Sequence, residues 1–180
     1  MVLFQYLTKS RPEYTEPDMA TSYGPSHFLK FNKGASQTAF ENLNSLSHIT
    51  FKAHSPNAGI VQLNSADPYD VPYINFNYFS GQQGEEDIRD ISNHIRMLRE
   101  QAHIKLLVGF DETVPGAHIT TDENLADWVR KYVGFGLYAC CTTKIGTDND
   151  PMAVLDGKLR VRGVKNLRVV SASSFPAIPG

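Results

Sequence analysis

Glu85-Glu86-Asp87-Ile88-Arg89-Asp90-Ile91-Ser92-Asn93-His94-Ile95-Arg96-Met97-Leu98-Arg99 decides the fold class, because here the spacing of apolar residues changes. Ile88, Ile91, Ile95, Leu98 and then Ala102 recur every three or four positions, with Arg89, Asp90, Arg96 and Arg99 mostly between them. That spacing lines one face of a helix. Three acids at Glu85, Glu86 and Asp87 suit the positive end of a helix dipole and place the expected start there. Upstream the period is two. His48-Ile49-Thr50-Phe51-Lys52-Ala53-His54 and Gly59-Ile60-Val61-Gln62-Leu63-Asn64 alternate and carry β-formers, and Ser55-Pro56-Asn57-Ala58 between them is turn chemistry. The pair reads as a β-hairpin. A proline-rich break from Ser65 to Pro72 leads to a short strand at Tyr73-Ile74-Asn75-Phe76.

The ends are less regular. The first forty-odd residues carry Pro12 and Pro17 in loop settings, with a helix expected over residues 2–8 and a strand near 27–31. Downstream, Thr120 and Glu123 match a capping box that opens a helix through Tyr132, with Leu125, Trp128, Val129 and Tyr132 as its apolar positions. Residues 137–143 look β-like. Strands are expected at 153–155, 159–161 and 167–170, with a turn at Asp156-Gly157. The residues alone therefore predict a mixed α+β protein.

Composition narrows the function classes. The 180 residues carry 17 Lys+Arg against 19 Asp+Glu, a net charge of −2, so the positive excess that drives nucleic-acid binding is missing. No apolar run approaches the ~18 residues that span a bilayer. The start lacks the basic flank of a signal peptide, which favours a cytoplasmic location. The chain is long enough for one compact unit with a real core. Its two cysteines, Cys140 and Cys141, are neighbours and cannot staple distant parts of the chain, so they read as small apolar residues in a buried strand.

Residue types by themselves point to no catalytic machine. The six histidines, His27, His48, His54, His94, His103 and His118, have no chelating spacing. H-E-x-x-H, C-x-x-C and G-x-S-x-G are absent, and no metal site is expected. Gly134-Phe135-Gly136 begins a G-x-G, but Ala139 stands where the third glycine belongs and a helix precedes it.

Ordered motifs carry more. Gly59 through Pro68, with Ser65-Ala66-Asp67-Pro68, leads into Pro72-Tyr73-Ile74-Asn75-Phe76-Asn77-Tyr78-Phe79 and then Arg96-Met97-Leu98-Arg99. Thr142 and Gly146 follow. The closing run is Asp150-Pro151-Met152-Ala153-Val154-Leu155-Asp156, Val161-Arg162-Gly163-Val164, Leu167-Arg168-Val169-Val170 and Ala172-Ser173 ahead of Pro176. In this order and spacing the chain, over roughly residues 46–180, resembles the C-terminal portion of the glucose–methanol–choline (GMC) family of FAD-dependent oxidoreductases.

The resemblance implies a mostly antiparallel sheet with flanking helices, the substrate-binding part of a flavoenzyme together with the strands that return to its FAD domain. Residues 1–45 would be an irregular lead-in and 46–180 the substrate- and flavin-contacting domain, with the N-terminal FAD-binding half absent. It implies FAD as cofactor and a small alcohol as substrate, oxidised by proton abstraction and hydride transfer to flavin. An FAD-domain partner chain and self-association are the expected partnerships, with neither nucleic acid nor membrane. By the same resemblance Tyr138 stands at the family's catalytic histidine, and Ser171 and Ala172 lie beside the flavin. The departures are Tyr138 itself, Cys141 and Ile145 at the motif's glycine and methionine, and Ser171 at an aspartate. The second catalytic residue would fall after Gly180. The isolated chain is therefore expected to be inactive, and the alternative is a non-catalytic module that binds a partner chain or ligand.

Overall fold

The computed structural model describes residues 4–28, 37, 44–101, 109 and 111–179. Its packing divides the chain into two units, one of residues 1–57 and 78–135 and one of 58–77 and 136–180, where length alone suggested one.

In the first unit β1 (Phe4–Thr8), β2 (Met19–Pro25) and β3 (Leu46–Lys52) form an antiparallel sheet with β2 in the centre. The register sets Thr8 opposite Met19 and Met19 opposite Lys52. Strand alternation then sends Met19, Thr21 and Tyr23 to one face, and all three are buried. β1 replaces the helix expected over residues 2–8. Pairing along β2 satisfies its backbone, and Tyr6 stacks on Tyr23 at 5.5 Å between ring centres. Of the strand expected near 27–31, His27 and Phe28 lie outside regular structure, and the remainder falls outside the described residues.

The expected hairpin does not form. β3 pairs with β2, whereas β4 (Ile60–Gln62) pairs with β5 (Tyr73–Asn75) in the second unit. The turn formers between β3 and β4 serve a different end, since Ser55 Oγ and Asn57 Nδ2 both donate to Asp87 Oδ2, at 2.5 and 3.3 Å.

Helix α1 (Gly81–Gln101) begins four residues before the acidic cluster, which therefore sits in its second turn. Gly84 explains the earlier start, because a Cβ there would lie 2.0 Å from the backbone of Phe79. Only glycine lets the helix begin so close to the incoming chain. Its buried arc carries Ile88 and Leu98 beside Asp87, Asp90 and His94. Helix α2 (Asp122–Tyr132) is capped by Thr121, one residue later than expected, and the Thr121 hydroxyl accepts from Asn124 N at 3.2 Å. Leu125 and Val129 bury its inner face, and Trp128 stacks on Tyr132.

In the second unit, the β4–β5 loop is tied by its own polar side chains. Asn64 Nδ2 donates to the Val71 carbonyl at 2.7 Å, Ser65 bonds Asp70, and Asp67 accepts from Tyr69 N at 2.9 Å. The strands expected at 153–155, 159–161 and 167–170 shrink to isolated bridges, Leu155 with Val161 and Arg160 with Arg168. Left-handed backbone at Leu159 and Asn166 interrupts them. Leu155 is fully buried and anchors this unit. Antiparallel sheets with helices make the protein α+β, as the sequence predicts.

Candidate functional site

Tyr138 lies on an irregular run, not on the strand expected over 137–143, because Leu137 and Cys141 take φ of 66° and 69°. Two left-handed residues in five cannot belong to an extended strand. The run is nonetheless well held. Cys141 N–H donates to the Ala172 carbonyl at 3.2 Å, Thr143 N–H to Ser173 O at 2.9 Å, and Ile145 N–H to Ser174 O at 2.9 Å. Ile145 also bridges to the buried Leu155, which fixes the far end. The backbone thus joins the segment of Tyr138 to the segment of Ser171 and Ala172.

Ser171 caps a short 3-10 helix, Ala172–Ser174, and its hydroxyl accepts from Ser173 N at 3.2 Å. A line of hydroxyls runs from Thr143 to Ser173 at 2.8 Å and from Ser173 to Ser171 at 2.6 Å. Ser174, the buried member, donates to Ser171 O at 2.7 Å. Ser171 and Ala172 are exposed, and Tyr138 is 76% exposed. The side chains at positions 171–172 are small.

The charges nearby are committed. Lys144 Nζ meets Asp150 at 2.8 Å, and this hydrogen bond, before any other contact, holds the Asp150 carboxyl below the usual carboxylate range. Arg162 donates to Asp148 at 2.7 Å and to the Gly146 carbonyl at 2.8 Å. Arg160 and two backbone amides bring Asp156 down to about 2. Lys144, six residues from Tyr138, is engaged by an acid of its own.

The reading of the sequence missed a second polar cluster, in the first unit. Lys52 Nζ donates to Asp18 at 2.6 Å and to Asp90 at 2.8 Å, Arg11 Nε to Asp90 at 2.5 Å, and Tyr14 Oη to Asp90 at 3.2 Å. Burial opposes the Lys52 ammonium, but its bonds to Asp18 and Asp90 outweigh it and raise its pKa. Burial likewise opposes the Asp18 carboxylate, yet donation from Lys52 and Ser10 brings its pKa down. A cavity of about 260 Å³ beside the cluster is lined by Tyr14, Lys52, His54, Glu86, Asp87 and Asp90, among others. Within this lining Tyr14, Asp18, Lys52 and Asp90 are bonded to one another, as expected where charges are buried. One signal in the sequence was available: Asp87, Asp90 and His94 fall at i, i+3 and i+7, all on the helix arc that turns inward.

Among the described residues no three His, Cys, Asp or Glu side chains are placed to hold a metal ion. Among the same residues no helix is long and apolar enough to cross a membrane.

Known proteins share this chain's sequence and fold. The family model described as GMC oxidoreductase matches residues 55–180. An oxygen-dependent choline dehydrogenase of Photobacterium profundum is 43% identical over 121 residues, which is 67% of this chain and 21% of that protein. The protein of the same name from Pseudomonas putida is 35% identical over 175 residues, 94% of this chain and 29% of that one. The chain thus spans between a fifth and a third of the length of the curated relatives it matches. Among solved structures, pyridoxine 4-oxidase from Mesorbium loti shares the fold with a TM-score of 0.74 at 21% identity, over 97% of this chain and 33% of that one. This chain belongs to the GMC oxidoreductase family and carries its C-terminal portion.

Proposed function

We propose that this chain forms the substrate-binding and flavin-facing part of an FAD-dependent oxidoreductase that oxidises a CH–OH group. The observation that carries the reading is the backbone union of the Tyr138 segment with the Ser171–Ala172 segment, the two places where family motifs expect chemistry. The names of its curated relatives, oxygen-dependent choline dehydrogenases, favour a small alcohol. In this reading residues 1–45 lead into the substrate domain and 46–180 complete it.

The small, exposed Ser171 and Ala172 fit the approach of a flat ring system. Bound FAD supplies the hydride acceptor. Tyr138 presents its phenol to the substrate hydroxyl as a hydrogen-bond donor, since a phenol is a poor base near neutrality compared with an imidazole. Ile60, Val61, Ile74, Leu167 and Val170, all exposed, supply apolar surface that the FAD-binding portion of the enzyme would cover. A second reading, a non-catalytic module that binds a partner chain, is favoured by the tyrosine at the position of the family's histidine.

The test joins this chain to the FAD-binding portion of a choline dehydrogenase relative and follows bleaching of the flavin absorbance on adding choline and other small alcohols. Bleaching by an alcohol supports the catalytic reading. Tight assembly with no bleaching by any alcohol supports the module.

A further inference from the structure

Cys140 and Cys141 are the chain's only thiols. Neither is in a disulfide, and both are half-exposed, off any strand, in place of the buried strand position expected of them. Neighbouring side chains on a strand point to opposite faces. Here the left-handed φ of 69° at Cys141 turns them together, and the two Sγ atoms lie 3.2 Å apart. That conformation is costly for a residue with a Cβ, so the surroundings must hold it. The bond from Cys141 N–H to the Ala172 carbonyl does so.

We propose that Cys140 and Cys141 form a peroxide-sensitive modification site that closes to a disulfide between neighbouring residues. The Cys140 sulfur attacks one oxygen of hydrogen peroxide. The O–O bond breaks, a sulfenic acid forms on Cys140, and the displaced oxygen leaves as water with the Cys140 proton. The Cys141 sulfur then attacks the sulfenic sulfur. The S–O bond breaks, the S–S bond forms, and a second water leaves with the Cys141 proton. Two thiols and one peroxide give one disulfide and two waters, the sulfurs losing the two electrons that the peroxide oxygens gain.

The roles follow from the local chemistry. Burial and the hydrogen bond with Cys140 push the Cys141 thiol up to about 11, and at 3.2 Å either thiol can donate to the other. Cys141, the thiol held up by burial, takes the resolving role, already in contact with the attacking Cys140 sulfur. The product is strained, because consecutive Cα atoms sit about 3.8 Å apart across a trans peptide, below the roughly 4.4–6.8 Å usual for disulfides. Such a bond is readily reduced, which makes the modification reversible. The site stands independently of the alcohol chemistry proposed above.

The test treats the folded chain with equimolar hydrogen peroxide, blocks free thiols with iodoacetamide, and digests with trypsin. Cleavage after Lys131 and Lys144 releases both cysteines in one peptide. We expect that peptide two hydrogen masses lighter than its reduced form, with both alkylation sites lost and both restored by dithiothreitol. Cys141→Ser should instead leave a sulfenic acid on Cys140 that dimedone traps. Phenylarsine oxide, which bridges close thiol pairs without an oxidant, should block alkylation of both cysteines in the untreated chain. Two alkylated cysteines after peroxide, sulfinic or sulfonic acid as the main product, or a disulfide linking two chains would each overturn the proposal.

Discussion

His94 Nε2 lies 2.6 Å from Thr21 Oγ1 in the buried centre of the first unit, and His94 Nδ1 lies 3.3 Å from Thr8 Oγ1. Burial lowers the pKa of this imidazole, with the His48 ring acting in the same direction and the Asp18 charge opposing. In the unfolded chain a histidine titrates at about 6.5. Between that value and the lower folded one, the unfolded chain binds more protons, so stability rises with pH across the window and is lost as pH falls through it. His48, also lowered by burial, adds to the loss. Urea unfolding should show a lower midpoint at pH 5 than at pH 7, and an equal or higher one at pH 5 would refute this account. Thr21→Val, which leaves a buried ring nitrogen unpaired, should cost about 1–3 kcal/mol at pH 7.

Lys52 answers two buried carboxylates at once, so removing its charge takes a partner from each and leaves Asp18 with no bonded cation among the described residues. Lys52→Met should cost about 3–5 kcal/mol at neutral pH, the usual penalty for leaving a buried ion uncompensated. The loss should shrink in acid as Asp18, held low by Lys52 and Ser10, takes up its proton. Arg11 still faces Asp90 in this variant, whereas Asp18 retains only Ser10. Urea denaturation at several pH values checks it, and a neutral effect at pH 7 would mean that the cluster gives little net stability.

These two clusters mark the boundary of what the sequence makes legible. The long apolar stripe of α1 is read directly, because helix periodicity is local. Tyr73–Asn75 is read as a strand for the same reason. Strand partners are another matter: β3 carries the alternation that fits a hairpin with β4, but nothing in its own residues distinguishes that partner from β2. The contact of Asp18 with Lys52 depends on Met19 standing opposite Lys52, a register that only the assembled sheet specifies. At the candidate site, motif order pointed to the segments of Tyr138 and Ala172. Their joining through Cys141, and the left-handed turn that brings two adjacent thiols together, are long-range and backbone effects with no periodic signature.

Gly84 sets propensity against packing. In an exposed helix interior glycine to alanine gains about 1 kcal/mol. Here the new Cβ would sit 2.0 Å from Phe79 backbone, so that backbone must move, and overpacking costs roughly 1–3 kcal/mol. Gly84→Ala should therefore lower the unfolding midpoint, while Gln83→Ala, on the exposed side of the same turn, should leave it nearly unchanged. A stabilised Gly84→Ala protein would show that the start of α1 relaxes freely.

The 180-residue chain by itself should not hold FAD tightly, because dinucleotide affinity rests largely on pyrophosphate contacts at a glycine-rich helix start, and no such motif occurs in this sequence. It should also self-associate through the exposed apolar residues of its second unit. Fluorescence titration with FAD and light scattering across a concentration series check the two independently. Sub-micromolar affinity would contradict the first expectation, and a monomer at high concentration the second.

Tyr138 stands where the resemblance to the family puts a catalytic histidine. A positioned general base contributes about 10²- to 10⁴-fold to a rate when its pKa lies near the working pH, which an imidazole meets and a phenol does not. Tyr138 places a phenol at that position. Lys144, the cation nearest to it in sequence, is already bonded to Asp150 at 2.8 Å. Tyr138 is also 76% exposed in this chain. In the protein assembled with an FAD-binding portion, Tyr138→His should therefore raise the rate of flavin reduction by alcohol about 10²- to 10⁴-fold, with a pH profile that rises through the histidine range. Tyr138→Phe should change the rate far less than the histidine variant does, because it removes only a hydrogen-bond donor. If Tyr138→His brought no gain over the natural tyrosine, proton removal would have to be assigned to another residue.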